Sequence, residues 1–306
     1  MPVSPQNLIS RADNSNRLQR ILQFPLIRIA VAMVFLGPSV IVFNVVFGRL
    51  IETEVRWTSW PGDLAAIFVV GLTIWGYRLY SRLVERRPAF EVQSSGCVVE
   101  TAPGFSLSSV FVIVTILAIA LIGSYRVSST NPASTLVHGF FIFGLLAFLE
   151  EIIFRVILLR LLEEIVGTWA AIVCVGAIFG AVHLVHDDAT GLSAVAIAVQ
   201  DLILSGAFVL TRKVWLSWGI HWGWNFVQDG VFGMPNSSVT VLPSLIVPEI
   251  AGPTWLTGGG FGIEMSLIGV TLNVLAGVVL MKLAMDRRHV LGPFWPRRHP
   301  AQKPGS

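Results

Sequence analysis

Long runs of apolar side chains, separated by short polar or basic connections, dominate this chain. About 20 consecutive apolar residues suffice for a helix to cross a bilayer core. The pattern predicts eight spans, over Leu26–Phe47, Leu64–Tyr80, Leu107–Ser124, Thr135–Ile165, Trp169–Val185, Ser193–Leu210, Val214–Val227 and Phe261–Met285. Gly37 and Pro38 interrupt the first run and predict a kink there. Short alternating strands are not the pattern, which disfavours a membrane barrel. Two connections are long. Glu85–Phe105 reads as an irregular loop, and Gly230–Gly260 carries Pro235, Pro243, Pro248 and Pro253. Within the latter, Val239–Ile250 is apolar but too short and too proline-broken to span, so it reads as a re-entrant or interfacial segment. The predicted fold class is all-α, a polytopic bundle of about eight transmembrane helices.

Composition agrees with the pattern. The 306 residues are 54% hydrophobic, and mean hydropathy is +0.74. A net charge of +3 without an aromatic-interleaved basic patch predicts no nucleic-acid partner. The basic residues mark one side of the membrane instead. Arg11, Arg17 and Arg20 precede the first span, Arg82, Arg86 and Arg87 follow the second, and Arg212 and Lys213 follow the sixth. Arg287, Arg288, Arg297, Arg298 and Lys303 follow the last, while the opposite connections hold only Arg49, Arg56 and Arg126. Positively charged connections stay cytoplasmic. Eight spans then place both termini in the cytoplasm, with the first span a retained anchor in the plasma membrane of a prokaryote. Cys97 and Cys174 have no metal-binding or disulfide spacing. Three segments follow: 1–130, N-terminal helices and a cytoplasmic loop; 131–290, a core; and 291–306, a basic tail.

Against this background Glu150 and Glu151 stand out, with Arg155 four residues on. A charged group at membrane depth costs roughly 2.5–3.5 kcal/mol on insertion scales and marks a functional site facing the bundle interior. Glu151 and Arg155 share a helix face in the favourable acid-first order, which assigns them a structural ion pair supporting the site. Glu150 lies about 100° around the helix. It remains the candidate functional carboxylate. His183 ends the fifth span and His221 lies in the seventh, with Asn225 one turn beyond. Gly176 and Gly180 precede the first histidine, and Gly219 and Gly223 bracket the second, spacings that let membrane helices approach closely. A carboxylate and an imidazole on neighbouring helices can hold and deprotonate a water. A second imidazole and an amide can donate to a developing oxyanion. Glu150, His183 and His221 also have the donor types of a catalytic zinc site, so a divalent metal such as zinc stays open as cofactor. Neither an HExxH helix nor a GxSxG elbow occurs.

The stretch Glu150-Glu151-Ile152-Ile153-Phe154-Arg155, the pair Phe179 and His183, and the pair His221 and Asn225 together resemble the three motifs of the CPBP family. These are the CAAX prenyl endopeptidase and bacteriocin-processing (Abi) intramembrane proteases, labelled metalloproteases. The resemblance covers roughly the fourth to seventh spans and departs at no key position. It implies an eight-helix fold with a cavity at the membrane, and an endopeptidase that cuts a peptide bond near the membrane surface. In it Glu150 and His183 activate water while His221 and Asn225 stabilise the oxyanion. The implied partners are the lipid bilayer and a peptide or membrane-protein substrate, prenylated where cleavage is of the CAAX type.

Competing readings remain. A non-enzymatic scaffold, immunity or regulatory protein of the same architecture would keep the fold. A proton-coupled transporter would use the same groups as a relay, although no internal repeat is visible. His186, Asp187 and Asp188 read as a solvated loop and His138 as a packing or interfacial residue. Trp215, Trp218, Trp222 and Trp224 read as membrane-interface anchors.

Overall fold

The computed structural model describes residues 21–52, 60–238 and 242–293. The expectations placed on the basic tails, on Arg56 and on the start of the apolar segment after Ser238 fall outside them. The architecture is an all-α polytopic bundle. Its helices are α1 (Pro25–Glu52), α2 (Trp60–Tyr80), α3 (Cys97–Leu121), α4 (Ser134–Glu151), α5 (Arg160–Val166), α6 (Thr168–Val182), α7 (Gly191–Thr211), α8 (Val214–Asn225), the short α9 (Thr254–Thr257) and α10 (Leu267–Asp286). Among the described residues, six stretches are long and apolar enough to cross a membrane: Pro25–Val45, Trp60–Glu85, Cys97–Leu121, Thr168–Val185, Gly191–Thr211 and Leu267–Asp286. The α4–α5 rod carries Glu150, Glu151 and Arg155, α8 carries His221 and Asn225, and His183 stands at the end of α6.

Local chemistry sets the helix boundaries. Thr190 and Ser193 cap the start of α7 reciprocally, each side-chain oxygen accepting from the other's backbone N–H, at 3.1 and 2.7 Å. Arg212 closes the same helix in the left-handed conformation. Three regions depart from expectation. Residues 97–106 are helical, so α3 begins about three turns before the predicted span. Pro103 lies inside the helix, where it leaves the Val99 carbonyl without an i→i−4 donor, and Gly104 lets this turn lie directly on Leu216 and Ile220 of α8. The last helix starts at Leu267, because residues 261–266 form a bridge and a 3₁₀ turn. Two antiparallel strands, β1 (Tyr125–Thr130) and β2 (Ile246–Ile250), replace the predicted re-entrant segment at its C-terminal end. Their ladder places Arg126 opposite Glu249 and satisfies backbone groups that an apolar peptide inserted in lipid would leave unpaired.

Two kinds of contact hold the bundle. At one end a lattice of ion pairs joins α1, the π-helical end of α2 (Ser81–Glu85) and α5. Arg28 reaches Glu85 at 2.5 Å and Glu164 at 2.6 Å, and Arg160 reaches Glu85 at 2.7 Å. Tyr80 donates to Glu85 as well. Removing one member of such a network strands a buried charge. The second kind is backbone contact between helices. A Cβ on Gly219 would sit 2.3 Å from the Thr101 carbonyl oxygen, and one on Gly223 2.4 Å from that of Phe105. Gly176 and Gly180 meet the carbonyls of Ala198 and Ala194 on α7 in the same way. The glycine pairs predicted to allow close approach therefore sit at the α8–α3 and α6–α7 interfaces.

The tryptophans of α8 pack against neighbouring helices. Trp215 and Trp224 are buried, and Trp218 and Trp222 donate to the carbonyls of Gly144 and Phe140 on α4, at 2.8 and 2.9 Å. Indole needs a partner for its N–H, and an adjacent helix supplies one as well as a headgroup does. Gly223→Val should lower the melting midpoint of the detergent-solubilised protein, by about 1–3 kcal/mol of overpacking. Gly71→Ala, where nothing lies within 4 Å of the added carbon, should leave it unchanged. Equal midpoints for the two variants would show that the α3–α8 contact is not tight.

Candidate functional site

The site is built on α4, α6, α7 and α8. Glu151 ends α4, and the chain then widens into a π-helical stretch, Ile152–Leu159, before α5. Wide turns of this kind recur at functional sites. The expected pair between Glu151 and Arg155 is present, with Nη1 3.2 Å from Oε1 and both side chains wholly inaccessible to solvent. Arg155 also pairs with Asp201 of α7, whose other oxygen accepts from Ser205 at 2.6 Å. The face of the Phe179 ring lies 4.8 Å from the guanidinium carbon, adding a cation–π contact. One arginine thus binds two carboxylates and an aromatic ring from three helices.

This cluster orients the histidine of α8. His221 Nδ1 lies 2.9 Å from Glu151 Oε1, which leaves Nε2 directed at Glu150, 3.6 Å from Oε2. A carboxylate on one ring nitrogen fixes the tautomer and frees the other nitrogen for chemistry. His183, at the end of α6, is held by its Nδ1 at 2.6 Å from the Phe179 carbonyl oxygen, so its Nε2 is likewise free. The two residues expected to differ do differ. Glu151 is fully buried in the ion cluster, whereas the Glu150 side chain is 39% exposed.

Glu150, His183, His221 and Asn225 all line one cavity of about 210 Å³. The sequence reading named these four and the supporting pair, but not the rest of the lining. Asp201 and Gln200 are charged and polar residues in mid-span, and the reasoning that singled out Glu150 applies to them equally. His186 was read as part of a solvated loop. It is half-buried in the cavity wall, its Nδ1 2.6 Å from the Ser237 carbonyl oxygen, while Asp187 and Asp188 are exposed. His138 lies apart from the site, paired with Asp63 at 2.9 Å.

The far wall of the cavity is polar. Asn273 of α10 donates to Gln200 at 2.9 Å, and Gln200 donates to the Glu264 carbonyl at 2.6 Å. The Glu264 carboxylate accepts from Gln228 at 2.8 Å. Burial pushes its pKa up to about 7, and the nearby Asp229 carboxylate adds to the rise while the hydrogen bonds oppose it. Among the described residues, no three His, Cys, Asp or Glu side chains are grouped to hold a metal ion. His221, with Nδ1 held by Glu151 and Nε2 3.6 Å from Glu150 Oε2, is placed to share an ion with that carboxylate, but among the described residues no third such side chain is grouped with the two.

Residues 132–227 match the family described as Rce1-like, type II CAAX prenyl endopeptidase. The match runs from just before α4 into the turn after α8, and so contains all three motifs. No curated protein and no solved structure matches the chain. The match supports the resemblance of this segment to the CPBP family of CAAX proteases, and the apolar helices support an integral membrane setting.

Glu264 carries a pH prediction. A folded-state pKa raised from about 4.5 to about 7 means that the folded protein holds a proton the unfolded chain releases. Its contribution is fully present below pH 4.5 and is lost as the pH rises through 7, a change on the order of 3 kcal/mol. Melting midpoints measured across this window should fall with pH in the native chain and flatten in Glu264→Gln. An equal slope in both would place the titration elsewhere.

Proposed function

We propose that this protein is an intramembrane endopeptidase that hydrolyses a peptide bond by activating water with Glu150 and His183. The observation that carries the reading is the convergence of Glu150, His183, His221 and Asn225, from three helices, on a single cavity. Glu150 is the only one of the two adjacent glutamates with solvent access and without the Arg155 guanidinium, so it is free to take a proton. Its carboxylate removes a proton from water as the oxygen attacks the substrate carbonyl carbon. His183, whose Nδ1–H donates to the Phe179 carbonyl, accepts a hydrogen bond from that water through Nε2. The C=O electron pair moves onto oxygen, where His221, protonated on both ring nitrogens between Glu151 and Glu150, donates through Nε2 beside the Asn225 amide to the developing charge. Collapse of the intermediate breaks the C–N bond, and the proton held by Glu150 passes to the leaving amine.

Glu151 and Arg155 act through His221. Their ion pair keeps the ring edge-on to the cavity, and Asp201 fixes Arg155 from the other side. A pre-set donor needs no rearrangement as charge develops. The family match supports cleavage of the CAAX or a related peptide-processing type, on a substrate held at the bilayer.

The test compares protein termini in cells expressing the native chain or Glu150→Gln at matched levels. New termini should appear with the native chain and fall by roughly 10²–10⁴ in rate with Glu150→Gln or His183→Ala. Identical termini, with a biological effect retained by the variant, would replace this reading with that of a non-enzymatic scaffold.

A further inference from the structure

We infer that the cavity is served from the non-cytoplasmic face of the membrane, so that the substrate is an extracytoplasmic stretch of peptide. The inference rests on the peptidase reading above for what is cut, and on geometry for where it enters.

The two ends of the bundle differ sharply in charge. At one end lie Arg82, Arg86, Arg212, Lys213, Arg287 and Arg288, beside the Arg28–Glu85–Arg160 lattice. At the other, the described connections contribute Arg126 against Asp187, Asp188 and Glu249, all exposed. Basic connections are retained in the cytoplasm, which assigns the first end to it.

The cavity belongs to the second end. Its lining includes His186 from the connection after α6, Asn236 and Ser237 from the one after α8, and Glu264 from the turn before α10. No residue from the connections at the basic end lines it. His183 stands fifteen residues along the helix from Thr168, about 22 Å from the basic end at 1.5 Å per residue. Between the cavity and that end the bundle is filled. Val156, Leu159, Leu161, Phe208 and Val209 are fully buried there, above the Arg212–Glu163 ion pair. A peptide arriving from the cytoplasm would have to part this core. A peptide arriving from the opposite side meets the polar wall directly.

The lining carries the carboxyl side chains Glu150, Asp201 and Glu264 and the imidazoles His183, His186 and His221, with no lysine or arginine. A stretch of peptide reaching it from that side is what an exported peptide or the extracytoplasmic flank of a membrane protein presents.

The test is labelling with a membrane-impermeant maleimide in intact cells, on the full chain with Cys97 and Cys174 replaced. Glu249→Cys and Asp187→Cys should label in intact cells, and Asp286→Cys should label only after lysis. The reverse pattern, or equal labelling of both ends in intact cells, overturns the inference. A bulky impermeant maleimide on Ser237→Cys should then abolish cleavage from outside, and unchanged cleavage at full labelling would overturn the entry route. Labelling needs no proteolysis, so the two readings fail separately. Absence of Glu150-dependent termini sinks the peptidase and leaves the orientation, whereas Glu150-dependent termini with reversed labelling sink only the orientation.

Discussion

The buried guanidinium of Arg155 is the constraint on which the site depends. A charge with no access to solvent is tolerable only when opposite charges surround it, and here Glu151 and Asp201 do so from two different helices. That requirement fixes α7 against the α4–α5 rod and holds the Phe179 ring of α6 over the cation. The same carboxylate that neutralises Arg155 sets the His221 ring. Helix packing and the aim of the imidazole are therefore one interaction, and neither can be changed without the other.

Close backbone contact supplies the rest of the precision. Where α8 lies on α3, and α6 on α7, a glycine on one helix meets a carbonyl on the other, and no side chain intervenes to shift rotamers. His183, His221 and Asn225 stand on, or at the end of, helices held in this way. Glu150 sits where the regular helix gives way to the π-helical stretch, so two consecutive glutamates serve two different surroundings, one sealed and one open.

Much of this was legible in the chain. Rare charges in apolar runs single out Glu150, Glu151 and Arg155, and helical spacing puts Glu151 with Arg155 and leaves Glu150 apart from the pair. The glycine pairs announced the interfaces of the two histidine helices. Asp201 was missed although the same rule applies to it, because it has no charged neighbour in sequence and its partner is 46 residues away. The polar wall was hidden for a related reason. Gln200, Gln228, Glu264 and Asn273 come from separate segments and acquire meaning only when a turn before α10 folds over the cavity. The short ribbon of β1 and β2 was masked by prolines in a stretch whose partner strand lies far earlier in the chain.

The place of the water bears on the shape of what the cavity can accept. In an α-helix each carbonyl is bonded to the amide four residues on and is screened by the surrounding side chains. A helical segment must therefore open before its carbonyl carbon is exposed to a water held at Glu150, freeing amide groups that lipid cannot satisfy. The amides and hydroxyl of Gln200, Asn236, Ser237 and Asn273 stand where those groups would emerge. Sequences that unwind easily, with glycine, proline or small polar residues near the scissile bond, would be favoured over stable helices by their secondary structure alone, before any side chain is recognised.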